Sequence, residues 1–163
     1  MTGPNERRHV IGIISDTHGL VRPDVYAALA GVELILHAGD VGDDEILDEL
    51  GLIAPVRAVY GNTDAPGRSR LAPSIDMTVG GISIHVSHGH EVGSPTPAKL
   101  LERYPTDVVV YGHTHRPLIA RAEGRLVLNP GAAGPRRFDI MPSVARLTIA
   151  GGRADAELVD LRP

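Results

Sequence analysis

The chain has 163 residues, 42% of them hydrophobic, with a formal net charge of −4 and no cysteine. That length suits one domain with its own core, and the lack of thiols excludes disulfides and thiolate metal sites while fitting a reducing cytosol. The acidic balance argues against general nucleic-acid binding, four tyrosines and one phenylalanine leave little for base stacking, and no apolar run approaches the roughly 20 residues that span a bilayer. The expectation is a cytoplasmic protein that does not enter a membrane, with residues 1–9 as a flexible N-terminal tail and 10–163 as a single domain.

An apolar run predicts a buried strand over 10–14, followed by a helix over 23–30 introduced by Pro23 and carrying Val25, Ala28 and Leu29 on one face. A second strand over 34–36 leads to a helix over 43–50, whose three leading acids suit a helix N-terminus and whose Ile46, Leu47 and Leu50 form a stripe. A third strand over 56–59 completes a β-α-β-α-β unit, which implies parallel strands and right-handed crossovers. Then the strands come closer together. Those over 75–79 and 82–87 flank a Gly80-Gly81 hairpin turn, the strand over 108–111 follows a helix over 97–103, and mostly antiparallel strands are expected over 118–122, 125–129, 144–149 and 154–159. Two sheets flanked by helices is the economical architecture, with no linker or repeat to suggest a second domain.

The ends of these runs carry the chemistry. Asp16-Thr17-His18, Gly39-Asp40, Gly61-Asn62-Thr63-Asp64, His88-Gly89-His90 and Gly112-His113-Thr114-His115 each follow a strand, and Asn129-Pro130-Gly131 closes the series. Ligands of α/β sheets gather at the carboxyl ends of strands, so these pieces are expected to face one cleft. Asp16 and His18 are two apart, as are His113 and His115, so each pair points to one side of an extended backbone and can grip one ion. Carboxylate, imidazole and amide oxygen suit manganese, iron, nickel, cobalt or zinc, whereas calcium would want more oxygen and structural zinc more sulfur. Glycine before Asp40, Asn62 and His113 is expected to let the backbone turn sharply and approach an ion or phosphate closely, although each dipeptide taken alone reads as an ordinary strand-ending turn. The set as a whole reads as a two-metal hydrolytic site.

In order and spacing, D-x-H, G-D, G-N-x-D, H-G-H and G-H-T-H resemble the signature of the calcineurin-like metallophosphoesterases, from about Ile11 to about Arg137. Small size and the Gly-Asn-x-Asp form resemble the compact bacterial and archaeal phosphodiesterases of that superfamily. The resemblance implies an α/β fold, a four-layer αββα sandwich of two mixed β-sheets flanked by helices. It assigns Asp16, His18 and His115 to one divalent ion and Asn62, His88 and His113 to the other, with Asp40 bridging and manganese favoured. The implied reaction is in-line attack on a small phosphoester, most readily a diester, by water acidified between the two ions, with Asp40, Asn62 and His88 taking part in catalysis. A phosphomonoesterase or nucleotide pyrophosphohydrolase is the enzymatic alternative. A protein-assembly scaffold, as in the retromer subunit that resembles these enzymes, is the alternative of another class. Small members are often homo-oligomers, so the resemblance also admits self-association.

Thr63 stands where many members of the wider superfamily carry a histidine, and a threonine is too weak an acid to replace an imidazolium. His90 is the candidate to compensate, against the plainer reading of a packing histidine. His37 reads as support for the Asp40 loop, His9 and His85 as unremarkable, and Asp64 as a residue that orients the Asn62 loop or caps backbone groups. Asn129 is expected to shape the site wall. Arg136 and Arg137 read either as a contact to a second phosphate or, more simply, as a solvated face or a contact to another subunit, and Arg68 and Arg70 as a substrate rim or, more simply, a surface loop.

Overall fold

Apolar side chains alternate between two destinations along nearly every central strand, and that alternation stacks the sheets. In the computed structural model, which describes residues 7–65, 67–136 and 139–162, Ile11 and Ile13 of β1 (His9–Ile14) enter an inter-sheet core while Ile14 faces the helices outside. The same division holds for Leu36 and Ile35 of β2 (Leu34–His37). Such strands, buried on both faces, have no polar alternation, and each buried Leu or Ile side chain contributes about 1.5–3 kcal/mol relative to exposure.

The first sheet has the order β11-β10-β1-β2-β3-β4. In it β3 is Val56–Val59, β4 is Leu71–Ala72, β10 is Ser143–Ala150 and β11 is Arg153–Asp160. Strands β1, β2, β3 and β4 pair in parallel, as the β-α-β-α-β reading requires, whereas β10 pairs antiparallel with β1, Ile11 opposite Leu147. The second sheet has the order β5-β6-β7-β9-β8, formed by β5 (Ile75–Val79), β6 (Ile82–Val86), β7 (Val108–Val110), β8 (Leu118–Ala122) and β9 (Arg125–Asn129). The expectation of mostly antiparallel strands in this half holds for β8 with β9, β10 with β11 and β10 with β1, with one exception. Strand β9 lies between β7 and β8 and runs parallel to β7, Val109 opposite Val127.

Helices α1 (Asp24–Ala28) and α2 (Asp44–Leu50) cover the outer face of the first sheet, burying Val25, Ile46, Leu47 and Leu50 with Ile14 and Ile35. Helix α3 (Pro97–Arg103) covers the second, where Leu100 packs with Val109, Tyr111 and Val127. Helix, sheet, sheet and helix make the expected four layers.

Differences at the ends have local causes. Helix α1 is shorter than 23–30, and Pro23 is its N-cap, not a residue of its first turn. Asp43 caps α2 by accepting from the Glu45 N–H, and Thr96 caps α3 through the Lys99 N–H. His9, expected in the tail, begins β1 and lies 3.0 Å from the Glu33 carboxylate. Residues 1–6 of that tail lie outside the described residues. Two-residue β4 and the 3-10 helix His90–Val92 are too short to leave a periodic signal. Among the described residues no helix is long and apolar enough to cross a membrane.

Candidate metal centre

Strands β1, β2, β3, β6 and β7 all run out toward one end of the two sheets, and the next residues converge there. Five of the candidate ligands take a left-handed backbone conformation: Asp16 at φ 54°, His18 at 45°, Asp40 at 54°, His113 at 72° and His115 at 64°. Among the described non-glycine residues only Glu123, in the β8–β9 turn, shares it. Such φ values are strained for side chains with a Cβ, and strain of this kind concentrates at functional sites. The expectation about glycine holds in two ways: Gly39, before Asp40, turns the chain at φ 104°. Gly61 and Gly112 supply room instead, because a Cβ on Gly61 would stand 2.0 Å from Asp40 Oδ1 and one on Gly112 2.7 Å from Asp16 Oδ2.

Asp16, His18 and His115 offer ligand atoms that all lie within 4.8 Å of one another, and Asp16, Asp40 and His88 form a second such group. Asp16 Oδ1 is 3.3 Å from His115 Nε2, 3.8 Å from His18 Nε2 and 3.9 Å from His88 Nε2. Asp40 Oδ2 is 3.2 Å from His88 Nε2 and 3.7 Å from His18 Nε2, so it stands between the two groups. Asp16 reaches both groups as well, which the one-ion assignment drawn from the sequence did not foresee. Asn62 Oδ1 lies 3.0 Å from His88 Nε2 and 3.1 Å from His113 Nδ1, joining the more exposed His113 to the cluster. The His90 ring is 5.4 Å from that of His88 and 6.2 Å from that of His113, and its Nδ1 is buried without a partner.

The donor set fits divalent metal. Asp16 Oδ1 and His18 Nε2 are buried with no hydrogen-bond partner, an arrangement that is costly unless a cation satisfies both. Burial alone would raise the Asp40 carboxyl, but His88 and the Thr63 N–H hold it well below the usual carboxylate range. Burial likewise disfavours charge on His88, yet its contacts with Asp40 and Asp16 raise its pKa in the metal-free protein. Two carboxylates thus draw positive charge to this point. His88 Nδ1 faces the Ala38 carbonyl at 2.7 Å, which aims Nε2 at the cluster.

Residues 10–152 match the family model of the calcineurin-like phosphoesterase superfamily domain. The chain belongs to that superfamily. A probable metallophosphoesterase of Methanothermobacter thermautotrophicus is 40% identical over 166 residues, 92% of this chain and 91% of the relative. A phosphodiesterase of Methanocaldococcus jannaschii is 31% identical over 140 residues, 74% of this chain and 82% of the relative. Among solved structures, vacuolar protein sorting 29 of Cryptosporidium parvum superposes with a TM-score of 0.79 at 21% identity, over 96% of this chain and 99% of that one, a likeness of fold.

Several supports of this phosphoesterase centre were only partly legible in its sequence. Asp64 accepts from the N–H groups of Val41, Gly42 and Gly61 and so locks the Asp40 and Asn62 loops together. Asn129 donates to the Gly112 carbonyl and to Thr114, bracing the loop of His113 and His115. Ser15, which no pattern singled out, donates to Asp16 Oδ2 at 2.6 Å. Arg68 and Arg70 pair with Asp44 and Asp48 on α2, contacts of the kind a surface loop makes. Arg136 is exposed, and Arg137 lies outside the described residues, as does Pro66.

His37 shows what supports the Asp40 loop. Thr17 Oγ1 donates to the Val41 carbonyl and so accepts from His37 Nε2, while the Gly39 N–H donates to His37 Nδ1. Both ring nitrogens are used by the neutral form, and burial pushes the imidazole down to about 4 against the partial pull of Asp16 and Asp64. Between pH 6.5 and 4 the unfolded chain binds a proton that the folded one refuses, so this contribution is complete above 6.5 and is lost as the pH falls toward 4. It amounts to about 3 kcal/mol. Urea unfolding of the metal-stripped protein at pH 7, 6 and 5 should show stability falling with acid, and more gently in His37→Gln; parallel slopes would refute the assignment.

Proposed function

We propose that this phosphoesterase is a phosphodiesterase dependent on two divalent ions, one held by Asp16, His18 and His115, the other by Asn62, His88 and His113, with Asp40 between them. The observation that carries the reading is the convergence of two carboxylates and three imidazole Nε2 atoms around buried acceptors without partners. The 31% identical relative named a phosphodiesterase supports diesters as the substrate class. Manganese is favoured, and iron, nickel, cobalt or zinc also suit oxygen and imidazole donors. Bound there, such ions supply Lewis acidity: charge that offsets the phosphoryl oxygens and a lowered pKa for water.

The residues of the chain do the positioning. The Thr63 N–H fixes Asp40 Oδ1 at 2.9 Å, which leaves Oδ2 facing His88 and His18. Asn62 presents a neutral oxygen between His88 and His113, so the site keeps a net positive charge for a phosphoryl group when loaded. His90 lies beside both imidazoles and is the group that can hold a proton for a departing alkoxide, which Thr63 cannot. The cysteine-free composition suits the cytoplasm.

The test is hydrolysis of bis(p-nitrophenyl) phosphate beside p-nitrophenyl phosphate, using metal-stripped protein restored with manganese, nickel, cobalt, zinc or magnesium. Diester turnover should return with metal, and manganese should restore the most. In the same assay His90→Gln should lose roughly 10²-fold on a diester with an alkyl leaving group and far less on the nitrophenyl ester, whose leaving group needs no proton. Preference for the monoester would replace this reading with a phosphomonoesterase. Silence of a folded, metal-loaded protein on both esters would favour the scaffold.

A further inference from the structure

The carboxylate of Glu91 takes no part in the ligand groups, yet both of its oxygens accept hydrogen bonds close beside them. Its Oε1 accepts from the Gly89 N–H at 2.9 Å, and its Oε2 accepts from Ser87 Oγ at 2.7 Å and from Tyr104 Oη at 2.8 Å. Burial alone would raise this carboxyl, but these donors hold it below its ordinary value, so it is ionised at neutral pH. Residues 87, 89 and 91 therefore curl around one charge, with Gly89 reversing the chain at φ 104°. The two residues whose side chains are left to point elsewhere are His88 and His90.

The clasp is anchored on both sides. Ser87 and His88 remain attached to the sheet, through Ser87 N–H to the Val110 carbonyl and Gly112 N–H to the His88 carbonyl. Tyr104 follows α3 directly, and its ring stacks on that of His85 at 3.7 Å and 19°. Tyr104 thus meets the Glu91 carboxylate from the side of α3, and neither residue belongs to the ligand groups.

From this geometry we infer that Glu91 is a positioning residue for the metal centre: with Ser87 and Tyr104 it fixes the turn that aims His88 at Asp40 and sets His90 beside it. The inference rests on the proposed metal-centre reading, but it can be tested without metal. Glu91→Gln keeps the size of the side chain while removing the charge and one acceptor oxygen. Tyr104→Phe keeps the stack on His85 and removes one donor.

In the metal-stripped, 15N-labelled protein, the His88 Nδ1–H that faces the Ala38 carbonyl should exchange with water at least about tenfold faster in Glu91→Gln, and less so in Tyr104→Phe. The His37 Nε2–H, buried off this turn, should be unchanged in both. In titration with manganese alone, one site should weaken by roughly 10–100-fold in Glu91→Gln while the other holds. An unchanged His88 signal would overturn the inference. So would equal loss at His88 and His37, which would mean general loosening of the fold. Should the parent take up one ion or none, the two-ion reading fails, and the His88 signal still decides the role of Glu91.

Discussion

Asp40→Asn is expected to lower metal-restored diester hydrolysis by roughly a hundredfold or more. The substitution is nearly isosteric and can still accept the Thr63 N–H at Oδ1, so the loop conformation has no reason to change. What disappears is the negative charge at Oδ2, the atom that stands 3.2 Å from His88 and 3.7 Å from His18 and so serves both ligand groups. An amide nitrogen there would turn N–H donors toward the point where cations are to be held. Manganese titration should show both sites weakened with an unchanged circular dichroism spectrum. Parental turnover in this variant would show that Asp40 is not shared between ions and that the reaction proceeds elsewhere.

Gly61→Ala is expected to disable the same residue by steric means. The added methyl would stand 2.0 Å from Asp40 Oδ1 and 2.4 Å from the Asp40 backbone nitrogen, and backbone cannot swing aside as the end of a long side chain can. Overpacking of this kind costs about 1–3 kcal/mol, which for a chain of this size lowers the melting temperature by roughly 3–10 °C. Activity should fall much further, by at least about tenfold at a temperature where the variant is fully folded, because a shift near 1 Å in a ligating carboxylate spoils the arrangement. A variant with parental melting and parental turnover would mean that the Asp40 and Gly61 loops can part without consequence.

How far the sequence could be read depended on the range of the interactions involved. Runs such as 10–14 and 108–110 announce buried strands because their neighbours are apolar whichever sheet they join, and the order of the motifs carries the ligand set with them. The partner of a strand is a different matter. Nothing local in Arg125–Asn129 says that it will lie parallel to β7 instead of forming a simple meander, since pairing is decided by the whole stack. The candidate site divides in the same way. Asp16, His18, Asp40, Asn62, His88, His113 and His115 stand out by residue type and spacing, whereas Ser15, Glu91 and Tyr104 look ordinary until their hydrogen bonds tie them to the segments that carry the site. Left-handed backbone at Asp16, Asp40 and His113 also leaves no mark in sequence, because outside glycine the residue type does not reveal it.

The place of β10 has a consequence for how the protein reaches its native state. One flank of β1, the strand that delivers Asp16 and His18, is completed by residues near the other end of the chain, with Ile11 opposite Leu147, and the Ser15 and Asp16 carbonyls accept from Ala133 and Gly134. Contacts so distant in sequence form only after a large loss of chain entropy, so topology makes their closure a slow step of folding. Asp16 and His18 are thus synthesised well before the strand that secures them, and during that interval one edge of β1 is open to pairing with another chain.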